Sequence, residues 1–448
     1  MKTALIVGMA KSGIAAAKLL YKEGYKVIVN DMKPEIAGLK DALDGTDCEW
    51  RLGEEPEALL DGVDLIIPSP VIPMTKPFIV KAQSMGIEVI SEIELGYRYS
   101  HAEFVCITGT NGKTTCTALT GEIFKAAGFH TFVLGNIGVA ICEHALDTRS
   151  GDVIVAETAA LQLEGNVDFH AHIAGVCNIT PDHLDHFGSM ERYIACKAMI
   201  LKNQTADDFA VLNYDDPIVR DFHKLTPAKA LYFSRKSVPP RGMYLDEKGD
   251  VVYDLDGRRG VLIKASEIRI PGAHNLENAM LCALCAMARG IAPEVIAKVL
   301  REFGGVEHRI EYICTRGGVD YINDSKGTNV DSTIRAIQTM TKPTVLILGG
   351  YDKHVSFDEL FKGFTPNIKA CVLLGATKNQ LLETARRFGY GDVCHMTESF
   401  REAMDTAKSL AKSGETVLLS PACASWGMFQ NFEQRGEIFA KIAREYKD

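Results

Sequence analysis

Phe104-Val105-Cys106-Ile107-Thr108-Gly109-Thr110-Asn111-Gly112-Lys113-Thr114-Thr115 is the stretch on which the reading of the fold turns. Residues 104–108 are apolar or β-branched and predict a buried strand. Gly109 and Gly112 predict a turn, and Lys113-Thr114-Thr115 opens a helix. Glycines let backbone amides approach phosphate oxygens, and a helix N-terminus adds a favourable dipole. Lys113 suits the charge of β- and γ-phosphates, and the Thr114 hydroxyl suits Mg²⁺. The strict Walker A pattern would need glycine at Ile107. The shorter Gly-x-x-Gly-Lys-Thr-Thr form meets the same physical requirement. An incidental glycine turn does not explain Lys-Thr-Thr at the start of a helix, so the stretch reads as a nucleoside triphosphate loop.

Working outward, residues 1 to 92 alternate strand and helix patterns. Strands are expected at 3–7, 27–30, 65–68 and 88–90, with a helix over 14–21, a Rossmann-like series. Gly8 to Gly13 is expected as a turn. It lacks Gly-x-Gly-x-x-Gly, so a dinucleotide, another diphosphate and a purely structural turn all remain open. Beyond the phosphate loop, strands are expected at 153–156 and 173–178. A small β meander is expected over 243–270, then a helix over 275–289 with Asn275 as N-cap. A third βα series follows residue 303, with strands at 319–323, 344–348, 370–374 and 416–419 and a final helix. The fold class is α/β in three domains. A Rossmann-like N-terminal domain spans 1–93, a central P-loop-type ATPase domain with the meander spans 94–302, and a C-terminal Rossmann-like domain spans 303–448.

Length and composition agree. At roughly 150 residues per domain, 448 residues make about three domains. A net charge of −9 argues against a nucleic-acid surface. No apolar run reaches the ~18 residues that suggest a membrane span, and Lys11 and Lys18 interrupt anything resembling a leader. The 12 cysteines show no zinc spacing. Cys282 and Cys285 read as buried helix, and scattered free thiols fit a reducing cytoplasm.

Glu157 is expected just past a strand, where metal-binding carboxylates often lie. Asp182-His183-Leu184-Asp185-His186 follows another strand. Mg²⁺ takes only one or two protein ligands besides phosphate oxygens, so few of these side chains need bind it. His183 alone reads equally as ligand or loop residue, and His186 as a surface residue. Lys197, on an expected helix after Tyr193, reads alone as a solvated lysine. An ammonium beside Mg²⁺ would be repelled.

The phosphate loop, His308-Arg309 and Asn323-Asp324-Ser325-Lys326-Gly327-Thr328-Asn329 together resemble the Mur ligases, ATP-dependent amide-forming enzymes of cell-wall precursor synthesis. Ser420-Pro421-Ala422-Cys423-Ala424-Ser425-Trp426 through Asn431-Phe432-Glu433-Gln434-Arg435-Gly436 resembles their D-glutamate-adding branch. The resemblance runs over nearly the whole chain. It implies a monomeric cytoplasmic enzyme joining D-glutamate to UDP-N-acetylmuramoyl-L-alanine with ATP and Mg²⁺ through an acyl phosphate. By motif it implies that Gly109, Thr110, Asn111, Gly112, Lys113, Thr114 and Thr115 hold ATP phosphates. Asn275 and Asn278 match adenine-side contacts, His308 and Arg309 the interdomain ATP region, and Asp324 a ribose contact. Thr114, Glu157, His183 and Lys197 match the metal side. Lys197 matches a lysine the family carbamylates, which would turn the misplaced cation into an anion.

For substrates, the resemblance implies Thr328, Lys353, Ser425 and Phe432 for D-glutamate, and Asn136 for the muramoyl portion. Ser12, Gly13, Asp31 and Lys33 would face uridine diphosphate. Without it, Ser425 reads as a loop hydroxyl and Phe432 as a core aromatic. With ATP residues in the middle domain and D-glutamate residues in the last, domain closure is expected. One departure stands out. The family reads Glu-x-Ser-Ser-Phe-Gln-Leu where this chain has Glu157-Thr158-Ala159-Ala160-Leu161-Gln162-Leu163, with Thr158 as the remaining hydroxyl. Rival readings are a Mur-type ligase for L-alanine or a diamino acid, a folylpolyglutamate synthase-like enzyme, a regulatory P-loop ATPase and a dinucleotide oxidoreductase. The Ser420–Ser425 run disfavours the first two. The altered 157–163 segment is the only support for the third. The fourth leaves Lys113 unexplained.

Overall fold

The computed structural model describes residues 1–136, 138–182, 184–352 and 355–447. His183 and Lys353 therefore lie outside the described residues. Contacts divide the chain into two compact units, 1–269 with 276–303, and 270–275 with 304–448.

The first unit holds two sheets. Five parallel strands lie in the order Glu49–Leu52, Lys26–Asp31, Thr3–Val7, Leu65–Pro68, Glu88–Val89. Ala4 and Ile6 face one buried cluster while Leu5 and Val7 face another. That alternation is what a strand covered on both faces requires. The helix Lys11–Lys22 begins two residues before Gly13. The expected turn therefore shortens to residues 8–10. Gly13 packs directly on the Gly8 carbonyl, so the first helical turn fits against the strand end where a Cβ would collide.

The second sheet has nine strands, in the order Arg258–Lys264, Asp250–Leu255, Gly242–Leu245, Lys229–Ser234, Phe209–Asn213, Ile173–Val176, Glu103–Thr108, Val153–Glu157, Thr131–Gly135. The meander strands 242–264 pair antiparallel and the rest are parallel. Glu103–Thr108 sits between Ile173–Val176 and Val153–Glu157. Loops leaving the carboxyl ends of adjacent parallel strands thus converge, as open α/β sheets bind ligands. Two expectations shift. Glu157 is the last strand residue rather than the first after it, and the strand from Ile173 ends at Val176.

The helix Glu92–Tyr99 joins the two sheets. The buried Glu94 carboxylate accepts the backbone N–H groups of Val167, Asp168 and Phe169 and pairs with Arg98. The Glu92 carboxylate accepts Cys142 N. Two buried carboxylates therefore fix the linker helix to the larger sheet.

The second unit carries six strands, Glu311–Arg316, Val319–Asn323, Thr416–Leu419, Thr344–Gly350, Ile368–Gly375 and Cys394–Met396, parallel except for the first pair. Val345 and Ile347 face one cluster, Leu346 and Leu348 the other. Each such side chain contributes about 1.5–3 kcal/mol on burial. Among the described residues no helix is long and apolar enough to cross a membrane.

Candidate active site

The helix Lys113–Ala126 starts from Gly112, which sits at φ +88°. A Cβ at Gly112 would lie 2.5 Å from Asn278 Oδ1, so both conformation and space require glycine. Asn178 holds the loop from the neighbouring strand end. Its carbonyl accepts Thr110 N at 2.8 Å, its Oδ1 accepts Asn111 N at 3.0 Å, and its Nδ2 donates to Asn111 O. The Thr110 hydroxyl hydrogen-bonds Thr180 O and the Tyr193 hydroxyl. Lys113 Nζ reaches back across the loop to the carbonyls of Gly109 and Thr110. Thr114 and Thr115 are buried in the first helical turn.

Lys197 is not solvated. It is 2% exposed on the helix Met190–Ala198, and its Nζ donates to Gly109 O at 2.7 Å. The Tyr193 ring lies 4.7 Å from that nitrogen. Burial, reinforced by the Lys113 charge, pulls the Lys197 pKa down to about 7. The lysine is therefore poised between ammonium and free amine.

Glu157 is 2% exposed. Its Oε1 accepts Asn136 Nδ2 at 2.9 Å, and Asn136 N donates to the Glu157 carbonyl. Its Oε2 is buried with no hydrogen-bond partner. An orphaned buried carboxylate oxygen is costly unless a cation or donor meets it, so the donor set here fits a divalent cation. Among the described residues no group of three or more His, Cys, Asp or Glu side chains converges. Thr158 does not supply the missing hydroxyl. It is fully buried and its Oγ1 donates to Ile107 O, tying two strands together. Gln162 caps the next short helix by accepting Ala159 N. His186 is not the surface residue expected: it lies in the short helix Leu184–Phe187, its side chain is 10% exposed, and its Nε2 meets Glu164 at 3.3 Å.

Asn275 is not an N-cap. The helix Ala273–Ala288 begins two residues earlier, after Pro271 and Gly272, and Asn275 Nδ2 donates back to Pro271 O. Asn278 packs on Gly112 and accepts the Cys116 thiol at 3.3 Å. Cys282 and Cys285 are fully buried, as expected of helix core. In the N-terminal sheet, Asp31 accepts Met9 N and Lys33 N, closing the 8–10 turn against the 31–33 loop. Ser12 is half-buried in the first turn of the adjoining helix, Gly13 is buried, and Lys33 is exposed.

In the second unit, His308 takes φ +63°, and its ring nitrogen Nδ1 meets Asn323 Nδ2 at 2.9 Å. Gly436 is required beneath it, because a Cβ there would strike the imidazole. Asp324 is buried, and its Oδ2 accepts the Ser420 hydroxyl at 2.6 Å. Burial raises its pKa to about 6 despite the nearby Arg309 and Arg435 charges. Arg309 has a buried Nε without a partner. Phe432 is half-buried rather than core. Lys326 Nζ lies 5.2 Å from its ring centre and the His308 ring meets it edge-on. Thr328 is half-buried and Ser425 is buried, 4% exposed.

The sequence reading missed Arg435. It is 2% exposed and donates to Ser325 Oγ, Ser325 O and Cys423 O. One guanidinium thus clamps the 323–329 loop to the 420–425 loop. The missed signal was an arginine placed between Gln434 and Gly436 in the first turn of a helix. Tyr193 was also unassigned, although it lies four residues from Lys197 and shares its helix face.

Family models match three stretches of the chain: a Mur ligase MurD-like N-terminal domain over 2–91, a Mur ligase middle domain over 107–286, and a Mur ligase glutamate ligase domain over 308–423. The chain belongs to the Mur ligase family. Among curated Mur ligases, the UDP-N-acetylmuramoylalanine–D-glutamate ligase of Alkaliphilus metalliredigens is 44% identical, covering 98% of this chain and 97% of the relative. The enzyme of the same name from Clostridioides difficile is 43% identical over 98% and 97%. Solved Mur ligases share the fold. UDP-N-acetylmuramate-alanine ligase MurC of Thermotoga maritima superposes with a TM-score of 0.63 at 17% identity, covering 99% of both chains. MurF of Thermotoga maritima in complex with ADP gives 0.59 at 16%, covering 94% of this chain and 95% of that one. The three-domain Mur ligase architecture expected from the sequence is therefore present.

Proposed function

We propose that this protein is an ATP-dependent amide ligase that joins D-glutamate to UDP-N-acetylmuramoyl-L-alanine in cytoplasmic peptidoglycan precursor synthesis. The observation that carries this reading is the convergence of Gly109, Lys113 and Lys197 at the phosphate loop, with the orphaned Glu157 Oε2 at an adjacent strand end. The names of relatives 41–45% identical support the choice of substrates. The matched stretches 2–91, 107–286 and 308–423 support the division into 1–93, 94–302 and 303–448. Twelve free cysteines suit a reducing compartment.

In this reading the terminal carboxylate of the UDP-linked substrate attacks the γ-phosphorus of ATP. The bond to ADP breaks and an acyl phosphate forms. The amine of D-glutamate then adds to the acyl carbon, phosphate leaves from the tetrahedral intermediate, and an amide remains. Backbone amides of Gly109 to Thr115 bind the phosphates, and Lys113 balances their charge. Glu157, Thr114, His183 and a carbamate on Lys197 would hold Mg²⁺, which supplies charge stabilisation for the transferring oxygens. Asn136 orients Glu157 while contacting the muramoyl portion. Asn275, Asn278, His308, Arg309 and Asp324 serve the nucleoside side. Thr328, Lys353, Ser425 and Phe432 receive D-glutamate, and Ser12, Gly13, Asp31 and Lys33 face the uridine diphosphate.

The test is phosphate release from ATP with Mg²⁺ and UDP-N-acetylmuramoyl-L-alanine, amino acids being added singly. Release that requires D-glutamate, with the matching amide, is the expected result. Release with another amino acid overturns the specificity. Release without any acceptor overturns ligation.

A further inference from the structure

All 12 cysteines are free. Ten are buried, and Cys314 and Cys394 are half-buried. Cys394 opens the edge strand Cys394–Met396, which pairs parallel with Ile368–Gly375 and sets Cys394 directly opposite Cys371. No other strand pairing among the described residues places two cysteines in register; Cys314 stands opposite Tyr321. Neighbouring strands lie about 4.8 Å apart, inside the ~4.4–6.8 Å Cα separation a disulfide spans. Side chains at paired positions point to the same face. The strand is three residues long and at the sheet edge, so a small shift of its backbone disturbs only one ladder. We propose that Cys394 and Cys371 are a thiol-oxidation site that closes to an intramolecular disulfide, with Cys394 reacting first with a peroxide or a small disulfide.

Both side chains pack into the same apolar cluster. The proximity of the two thiols holds the Cys394 pKa below its ordinary value and pushes the Cys371 thiol well up. The Cys394 thiol itself donates to Tyr390 O at 3.3 Å. The half-buried partner is therefore the better thiolate, and the fully buried one is the resolving thiol. By contrast, burial pushes the thiols of Cys106, Cys142 and Cys285 up, as expected of inert core cysteines.

With hydrogen peroxide, the Cys394 thiolate attacks one oxygen, the O–O bond breaks, and hydroxide leaves a sulfenic acid. The Cys371 sulfur then attacks Cys394 sulfur, the S–O bond breaks, and water departs with the thiol proton. The thiols lose two electrons and the peroxide is reduced to water. With glutathione disulfide, Cys394 forms a mixed disulfide, and Cys371 displaces the second glutathione.

Full-length protein is exposed to hydrogen peroxide, or separately to glutathione disulfide, and mapped by non-reducing peptide mass spectrometry. The expected product is one peptide pair linked through Cys371 and Cys394, two hydrogens lighter and released by dithiothreitol. Cys371→Ser should stop at a sulfenic acid or a glutathione adduct on Cys394, and Cys394→Ser should leave Cys371 unmodified. Brief alkylation of untreated protein is a check that needs no variant, and Cys394 should label several-fold faster than Cys371. Linkage of any other cysteine pair, faster alkylation of Cys371, or oxidation of Cys314 with Cys394 intact would overturn the proposal.

Discussion

Lys113 and Lys197 donate to the same acceptor, the carbonyl of Gly109, at 2.9 and 2.7 Å. Two amines converging on one buried oxygen cannot both be comfortable cations, and the Lys113 charge helps burial pull the Lys197 pKa to about 7. At neutral pH about half of Lys197 is then free amine, against roughly one part in 2,500 for an ordinary lysine. Only the free amine attacks CO₂, forming the N–C bond of a carbamate and releasing a proton. Enzyme depleted of CO₂ should regain activity on adding bicarbonate, with a recovery rate that is half-maximal near pH 7. Lys197→Ala should lose about 10²–10³-fold in ligation and recover partly with acetate. Full activity in the plain variant would remove the carbamate from the mechanism.

The same pKa has a stability consequence. In the unfolded chain Lys197 keeps its proton to about pH 10.4, whereas in the folded chain it releases it near 7. Between those values the unfolded state holds more protons, so folding stability rises with pH across about 7 to 10, by at most ~1.4 kcal/mol per unit. Below pH 7 the cost of the buried ammonium is fully present. In CO₂-free buffer, the stability of Lys197→Met relative to the native chain should be greatest below pH 7 and should shrink toward pH 10. Urea denaturation at a series of pH values measures this, and a flat difference would contradict a buried, shifted amine.

What the sequence disclosed, and what it withheld, follows from the range of the forces involved. The strand, turn and helix around Gly109 to Thr115 were legible because strand character, glycine conformation and helix start are local properties. Glu157 was placed within one residue for the same reason. The burial of Lys197 was not legible, because its acceptor comes from Gly109, far away in the chain. Asn275 was misread as a cap because Pro271-Gly272 had already turned the backbone. The strands Phe209–Asn213 and Lys229–Ser234 escaped because they are short and acquire their identity from parallel partners. Arg435 was invisible as a clamp because both of the loops it ties lie earlier in the chain.

Gly112→Ala should separate nucleotide binding from folding. The residue stands at φ +88°, and the added methyl would meet Asn278 Oδ1 at 2.5 Å. The backbone strain alone costs about 1–2 kcal/mol, which is about five- to thirtyfold in affinity where the bound loop must hold this conformation. Calorimetric titration with a non-hydrolysable ATP analogue should show at least that loss, with circular dichroism unchanged. Unaltered affinity would mean that the loop does not need its observed conformation.

Asn136 bears on Glu157 through a 2.9 Å hydrogen bond to Oε1. Removing a group that orients a metal ligand typically costs about 10–100-fold in metal affinity. Asn136→Ala should therefore raise the Mg²⁺ concentration needed for half-maximal ligation by about tenfold. The KM for the UDP-linked substrate should rise as well, since Asn136 is proposed to touch it. An increase in that KM with an unchanged Mg²⁺ requirement would confine Asn136 to substrate binding.

Arg435 tests whether the C-terminal loops depend on one buried cation. Its guanidinium satisfies Ser325 Oγ, Ser325 O and Cys423 O, and no aliphatic side chain can replace those donors. Burial lowers its pKa only to about 10, so it stays charged at neutral pH. Arg435→Met recovers the cost of desolvating that charge but strands the buried acceptors, at about 1–3 kcal/mol for each left unmet. A net loss of about 3 kcal/mol is expected by urea denaturation. Arg435→Lys keeps the charge without the planar fork and should recover only part of it. Because Thr328 and Ser425 lie on the two tied loops, the KM for D-glutamate should rise about tenfold or more in both variants. The neighbouring Asp324, already raised to about 6, should titrate higher still once the Arg435 charge is gone. The acid limb of the pH–rate profile should then move to higher pH in Arg435→Met and stay in place in Arg435→Lys. Loss of stability with an unmoved D-glutamate KM and an unmoved acid limb would make Arg435 a packing residue alone.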